Sequence, residues 1–250
     1  MAENPKFRVA VVTPYYQEQA GILRQCHESV LAQTYPCDHF VVADGHPHSI
    51  FGDGSAARHV ILPFANGDNG NTPRAIGGIL AAAYGYDAVG YLDADNWLDP
   101  RHVELLVGAH ERAGTPLVSS RRLFVDLEGL PLPISENQED TGNHVDTSCW
   151  LIFRPAFSLL RAWLMPKQLA PLCDRIFFAK VRHEHFGAAR IMDRTVMFRS
   201  QYVSHYVESG REPPPGAKDI MPIWQEVRRF TLDAGRVQEI VSALGFYPQV

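Results

Sequence analysis

Residues 88–100 read AVGYLDADNWLDP. The run 88–92 is short, apolar and small, the pattern of a strand buried on both faces of a sheet. It stops at Asp93, and Asp95 follows one residue on, so two carboxylates leave the strand's end together. Hard cations such as Mg2+ and Mn2+ take oxygen ligands, commonly one or two carboxylates plus a substrate's phosphates. The plain alternative is a solvated turn that caps the next helix. Asp99-Pro100 already offers a cap and a first-turn proline for a helix through about Arg112, which leaves Asp93 and Asp95 without that structural task.

Upstream of this stretch, FRVAVVT (7–13) reads as another buried strand. Residues 18–33 carry Ile22, Leu23, Cys26, Val30 and Leu31 at helical spacing, and 39–43 and 58–62 are further short strands. Thr72-Pro73 repeats the cap-plus-proline device before Ala75, Ile76, Ile79, Leu80 and Ala83. The order β, α, β, β, α, β, α predicts an α/β fold with a mostly parallel, doubly wound sheet, helices on both faces and ligands at the strands' carboxyl ends. Polar residues cluster at those ends, at 13–18, 44–48 and 93–96. Downstream, 117–126 and 148–153 read as strands, 128–143 as a loop, Pro155 as a helix start, 174–185 as a helix and 195–206 as extended. Pro213–Gly216 is a breaker, followed by amphipathic helices at 219–232 and 233–244 with Gly245 as a C-cap.

With 250 residues, 46% hydrophobic and 20% charged, the chain suits one globular domain with a small appended segment. A net charge of −5 speaks against a nucleic-acid partner. Cys26, Cys37, Cys149 and Cys173 form no CxxC pair, so the thiols are expected to be reduced and the protein cytoplasmic. No segment approaches the ~20 apolar residues that span a bilayer, which leaves peripheral membrane contact open. After the first strand stands TPYYQE, not a glycine-rich phosphate loop, which argues against a nucleotidyltransferase or a dinucleotide oxidoreductase.

Four stretches together, VVTPYYQE (11–18), ESVLAQTYP (28–36), FVVADG (40–45) and YLDADNWLDP (91–100), resemble glycosyltransferase family 2. The resemblance implies the GT-A fold, with a catalytic domain over 1–210 (a nucleotide-sugar half at 7–112, an acceptor half at 113–210) and a helical segment at 211–250. It implies a metal-dependent transfer of a sugar from a nucleoside-diphosphate sugar, UDP-linked by preference, to an acceptor hydroxyl of a glycan, a lipid-linked sugar or a small molecule. Thr13, Pro14, Tyr15 and Glu18 would line the nucleoside pocket, with Tyr15 stacked on the base. Asp44 would accept a hydrogen bond from the base, and Arg74 would meet a phosphate. Asp93 would face ribose or ion beside Ala94, and Asp95 would bind Mn2+ or Mg2+. The second-strand ending departs from the family's pattern: Ala43-Asp44-Gly45-His46-Pro47-His48 places two histidines where Gly-Ser is usual.

Inverting transfer needs a base for the acceptor's proton. The family draws it from an acidic pair at a helix start, and Asp174 matches, although Cys173 leaves that pair incomplete; Asp146 and Asp193 are rivals. His205 would complete the metal's coordination, with His183 and His185 as a weaker alternative. Trp150 and Trp97 could stack on sugar rings or belong to the core. The loops 128–143 and 211–218 could close over the donor. The competing readings are a retaining transferase on the same fold and a catalytically idle nucleotide-binding module. Oligomeric state is open, a dimer included.

Overall fold

The computed structural model of the protein describes residues 5–135, 142 and 144–248. Its strands are β1 (Val9–Tyr15), β2 (Cys37–Ala43), β3 (Arg58–Ile61), β4 (Ala88–Tyr91), β5 (Trp97–Leu98), β6 (Leu117–Val125), β7 (Trp150–Phe153) and β8 (Ala188–Arg199). They form one sheet in the order β3-β2-β1-β4-β7-β6-β8-β5. The α-helices are α1 (Ala20–Leu31), α2 (Asn71–Ala83), α3 (His102–Ala113), α4 (Cys173–His183), α5 (Val203–Glu208), α6 (Ile220–Leu232) and α7 (Val237–Leu244). No helix among the described residues is long and apolar enough to cross a membrane.

From β3 to β4 the sheet is parallel, and every residue of β1 and β4 is buried, as their apolar runs require. The chain runs from β1 outward to β2 and β3, then returns through α2 to β4 on the other side of β1. The crevice beyond the carboxyl ends of β1 and β4 is therefore the topological switch point, where open α/β sheets take their ligands. Past β4 the sheet is mixed. β7 is antiparallel to β4 and to β6, β6 and β8 are parallel, and β5 is antiparallel to β8. The parallel order expected from the first half does not extend there, because antiparallel neighbours need no crossover helix.

α2 reaches the sheet through two glycines. A Cβ on Gly77 would lie 2.4 Å from Val12 Cγ1 and 2.9 Å from Val42 Cγ2, and one on Gly78 would lie 2.6 Å from Tyr91 Oη. Glycine inside a helix costs about 1 kcal/mol relative to alanine; here it lets the helix backbone sit directly on β1 and β2. The main core continues through β7 and the 3₁₀ segment Arg154–Trp163, where Pro155 was expected to open an α-helix, into α4; Trp163 stacks on Phe177 at 4.5 Å. A second apolar cluster, with Leu172 and Ile176 facing Val227, Ile240 and Leu244, fastens α6 and α7 to α4.

Several boundaries differ from the sequence reading for identifiable reasons. α2 is capped by Asp68, whose carboxylate accepts from the Thr72 N–H at 2.9 Å and its hydroxyl at 2.6 Å; Thr72 itself lies inside the helix. The stretch 195–206 is extended only to Arg199, since the Ser200 hydroxyl bonds His205 Nδ1 at 2.8 Å and accepts from the Tyr202 N–H, which turns the chain into α5. Gly245 ends α7 at φ 79° as expected, Asp219 caps α6 from just outside it, and 234–236 are 3₁₀. Of the loop expected at 128–143, residues 136–141 and 143 lie outside the described residues.

Replacing Gly77 by alanine should destabilise the protein by about 1–3 kcal/mol through overpacking, despite alanine's better helix propensity. Denaturant unfolding measures it; a stabilised Gly77→Ala variant would show that α2 does not sit flush on β1.

Candidate active site

Asp93 lies at the end of β4, where its N–H donates to Ser148 Oγ at 3.1 Å. Its Oδ1 accepts from Arg74 Nη2 at 2.7 Å. Arg74 is buried in the first turn of α2, donates also to Asn71 Oδ1 at 2.7 Å, and lies 5.1 Å from the Trp163 ring centre. Arg74, expected to contact a phosphate or help fix the sugar, is placed by the fold against Asp93. Two residues on, Asp95 Oδ2 accepts from Gln201 Nε2 at 2.9 Å. Asn96 Oδ1 accepts from the Arg199 N–H at 2.9 Å, so the whole turn is moored to the end of β8.

Burial pushes the Asp95 carboxyl up to about 7, with the Asp93 and Glu18 carboxylates adding to the rise and Lys218 opposing it. Lys218 is held beside the turn by its backbone, whose N–H donates to Gln201 O at 2.6 Å and whose carbonyl accepts from the Val203 N–H at 3.0 Å. Asp95, Asp93 and Glu18 thus crowd negative charge into one corner, and hard oxygen donors of this kind suit Mg2+ or Mn2+. His205, expected as a further ligand, lies on α5 with its Nδ1 at 2.8 Å from Ser200 Oγ. Among the described residues no three His, Cys, Asp or Glu side chains gather into a metal-binding group. The His205 ring packs against Phe124, Phe198 and Tyr202, and burial lowers its pKa to about 4. Of the alternative histidine pair, His183 stacks on Phe246.

The residues expected at the nucleoside divide between the fully buried β1 and the turn that follows it. Thr13 is buried, with its hydroxyl on His39 Nε2 at 2.8 Å. Tyr15, expected to stack on a base, is 3% exposed; its hydroxyl accepts from the His48 N–H at 2.8 Å and pairs with His59 Nε2 at 2.7 Å. Its neighbour Tyr16 is 44% exposed and meets the His46 ring edge-on at 4.7 Å. Sequence reasoning passed over Tyr16, which is exposed because it lies just beyond the fully buried β1. Glu18 accepts from the Tyr16 N–H at 2.7 Å, which closes the turn after β1. Pro14 is buried against Gly70, where an added Cβ would come within 3.0 Å. Asp44 is buried and accepts from the Asn66 N–H, Asn66 Nδ2 and the Gly67 N–H at 2.9, 2.7 and 3.2 Å. It therefore braces the loop at 64–67. Ala94 packs in the small apolar cluster of Tyr15 and Leu23. Trp150 is corrected as a sugar platform: it is 1% exposed, between Phe177 and Phe178. Trp97 lies under the Arg199 guanidinium.

On the acceptor side, Asp174 opens α4 and receives His144 Nε2 on Oδ2 and its neighbour's N–H, from Arg175, on Oδ1 at 2.7 Å. Burial raises its pKa, but His144, the Arg175 N–H and the Arg122 charge together outweigh this and hold the carboxyl below its ordinary value. Asp146 pairs with Arg122 at 2.7 Å and caps the 3₁₀ turn at 147–149, while Asp193 is exposed on β8. Tyr202 registers the convergence of these groups: burial first, then the Asp174, Asp95, Asp93 and Asp146 charges, push its hydroxyl up to about 12.

The family model described as glycosyl transferase family 2 matches residues 10–167. Among solved structures, S. aureus TarS 1–349 in complex with UDP superposes with a TM-score of 0.61 at 13% identity, covering 95% of this chain and 70% of that one. The same TarS 1–349 in complex with UDP-GlcNAc gives 0.60 at 13%, covering 95% and 80%. A further crystal structure of S. aureus TarS gives 0.60 at 13%, and there the chain spans 48% of that protein. No curated protein matches the sequence.

A carboxyl whose pKa is raised in the folded state adds stability below its unfolded pKa, near 4, and loses it as pH rises through about 7. In EDTA, Asp95→Asn should therefore stabilise the protein by about 1–3 kcal/mol at pH 8, a gain that shrinks towards zero at pH 4. Urea unfolding across that range checks it; a pH-independent effect would contradict a strained Asp95.

Proposed function

The chain belongs to glycosyl transferase family 2 and is a glycosyltransferase of the GT-A fold, and on that premise we propose that it transfers a sugar, with inversion, from a nucleoside-diphosphate sugar to an acceptor hydroxyl. The observation that carries this reading is the Asp93–Asp95 turn, two carboxylates fixed at the switch point between β1 and β4 and crowded by Glu18. Asp95 and Asp93 would hold Mn2+ or Mg2+, and when bound such an ion offsets the negative charge that grows on the departing diphosphate.

The chain's own groups supply the rest. Tyr16 offers an exposed ring to a base, and Asp44 keeps the loop at 64–67 in place beneath it. UDP is the favoured nucleotide, supported by the UDP and UDP-GlcNAc complexes of TarS. Lys218 adds a positive charge beside Asp95. The Asp174 carboxylate takes the acceptor hydroxyl's proton as the acceptor oxygen bonds to the anomeric carbon and the bond from that carbon to the phosphate oxygen breaks. The nucleoside diphosphate leaves with the electron pair. Residues 7–112 form the donor half and 113–210 the acceptor half of a catalytic unit at 1–210, followed by a C-terminal helical segment at 211–250.

Turnover of UDP-GlcNAc, UDP-glucose and GDP-mannose in Mn2+, read as nucleotide release, tests this. Asp95→Asn and Asp174→Asn should each lower kcat/KM by about 10²–10³-fold, several kcal/mol of transition-state stabilisation, and the product should carry the inverted anomer by NMR. Full activity of Asp95→Asn would remove the turn from the reaction; a retained anomer would remove Asp174 as the base.

A further inference from the structure

Behind Asp174 lies a buried histidine with no task in the transfer described above. The His144 side chain is 6% exposed, against 24% for Asp174, so it approaches the carboxylate from the protein side and leaves the acid's other side to the crevice. Its Nε2 meets Oδ2, while the Arg175 N–H holds Oδ1 at 2.7 Å. Among the described residues, the charged and titratable groups around the pair include Arg175 on α4, Arg122 on β6, Asp146 two residues beyond His144, Asp93 after β4 and Tyr202 after β8. Arg122 is engaged with Asp146 at 2.7 Å, and the adjacent Cys173 thiol is kept neutral by burial, which pushes it up to about 12. Of these neighbours, His144 is the one whose side chain bonds the Asp174 carboxylate directly.

A carboxylate that must accept a proton from a neutral hydroxyl has two needs that conflict in a buried site. It must stay ionised despite desolvation, and its plane must be fixed so that one lone pair faces the acceptor. The His144 ring on one oxygen and the Arg175 N–H on the other fix the carboxylate's plane and favour its charged form. The geometry points to His144 as a positioning residue for the transfer, which holds the Asp174 carboxylate ionised and aimed at the acceptor hydroxyl. This rests on Asp174 being the base.

The test uses the full chain with the most active of UDP-GlcNAc, UDP-glucose and GDP-mannose as donor, and compares His144→Ala, His144→Gln and Asp174→Asn. His144→Ala should lose about 30–300-fold in kcat with donor KM changed less than about threefold, and the acidic limb of its kcat–pH profile should move to higher pH. His144→Gln, which keeps a side-chain N–H, should stay within about tenfold of wild type. UDP affinity and melting temperature, measured beside the rates, separate a local effect from misfolding. Should Asp174→Asn lose activity while His144→Ala keeps wild-type kcat and an unmoved acidic limb, the positioning role is overturned and the base stands. A His144→Gln variant that folds, binds UDP and is nevertheless as slow as His144→Ala also overturns it. If neither Asp174→Asn nor His144→Ala loses activity, both roles fall together.

Discussion

Asp95 is a half-buried carboxylate beside two others, Asp93 and Glu18, and that crowding of like charge is the constraint around which the site is built. Anions do not remain together out of water unless something opposes them. Arg74 opposes Asp93 from the first turn of α2, which is brought there by the glycine contact of α2 with β1 and β2. Gln201 and Lys218 approach Asp95 from the chain beyond β8, and Arg199 fixes Asn96 between them. The first half of the protein thus supplies the negative charge, and both halves supply the groups that restrain it. A site that is electrostatically strained when empty is suited to a cationic ligand, because relief of the strain adds to the ligand's affinity.

Beneath this corner lies a rigid floor of ring contacts and short polar links. Thr13 bonds His39, His39 bonds His27 at 2.8 Å, and Tyr15 joins His59 to the turn at His48. Burial drives His39 to a pKa of about 3 and lowers His27 and His59 as well, so desolvation disfavours positive charge in this layer. The polar residues here divide at the end of β1: Thr13 and Tyr15, inside the fully buried strand, belong to the floor, while Tyr16 and Glu18 lie beyond it and form the turn.

Much of the donor half was legible because its signals are local. Uninterrupted apolar runs marked β1 and β4, and a strand ending in two carboxylates marked the switch point. What was not legible depended on contacts distant in sequence. That Arg74 lies 2.7 Å from Asp93, and that Ser200 turns the His205 segment into a helix packed on Phe124, is written in no local pattern. Trp150 sits in a strand whose two faces are both covered, which a four-residue apolar run cannot disclose by periodicity. The pairing of His144 with Asp174 spans 30 positions, and no local pattern announces it.

Calorimetric titration of UDP into the protein, with and without Mn2+, tests the central claim most directly. If the Asp93–Asp95 turn holds a cation against a diphosphate, Mn2+ should tighten UDP binding by at least about tenfold in the wild type, or about 1.4 kcal/mol, and should leave the Asp95→Asn variant unchanged. Equal UDP affinity with and without Mn2+ in the wild type, or equal tightening in the variant, would contradict the account.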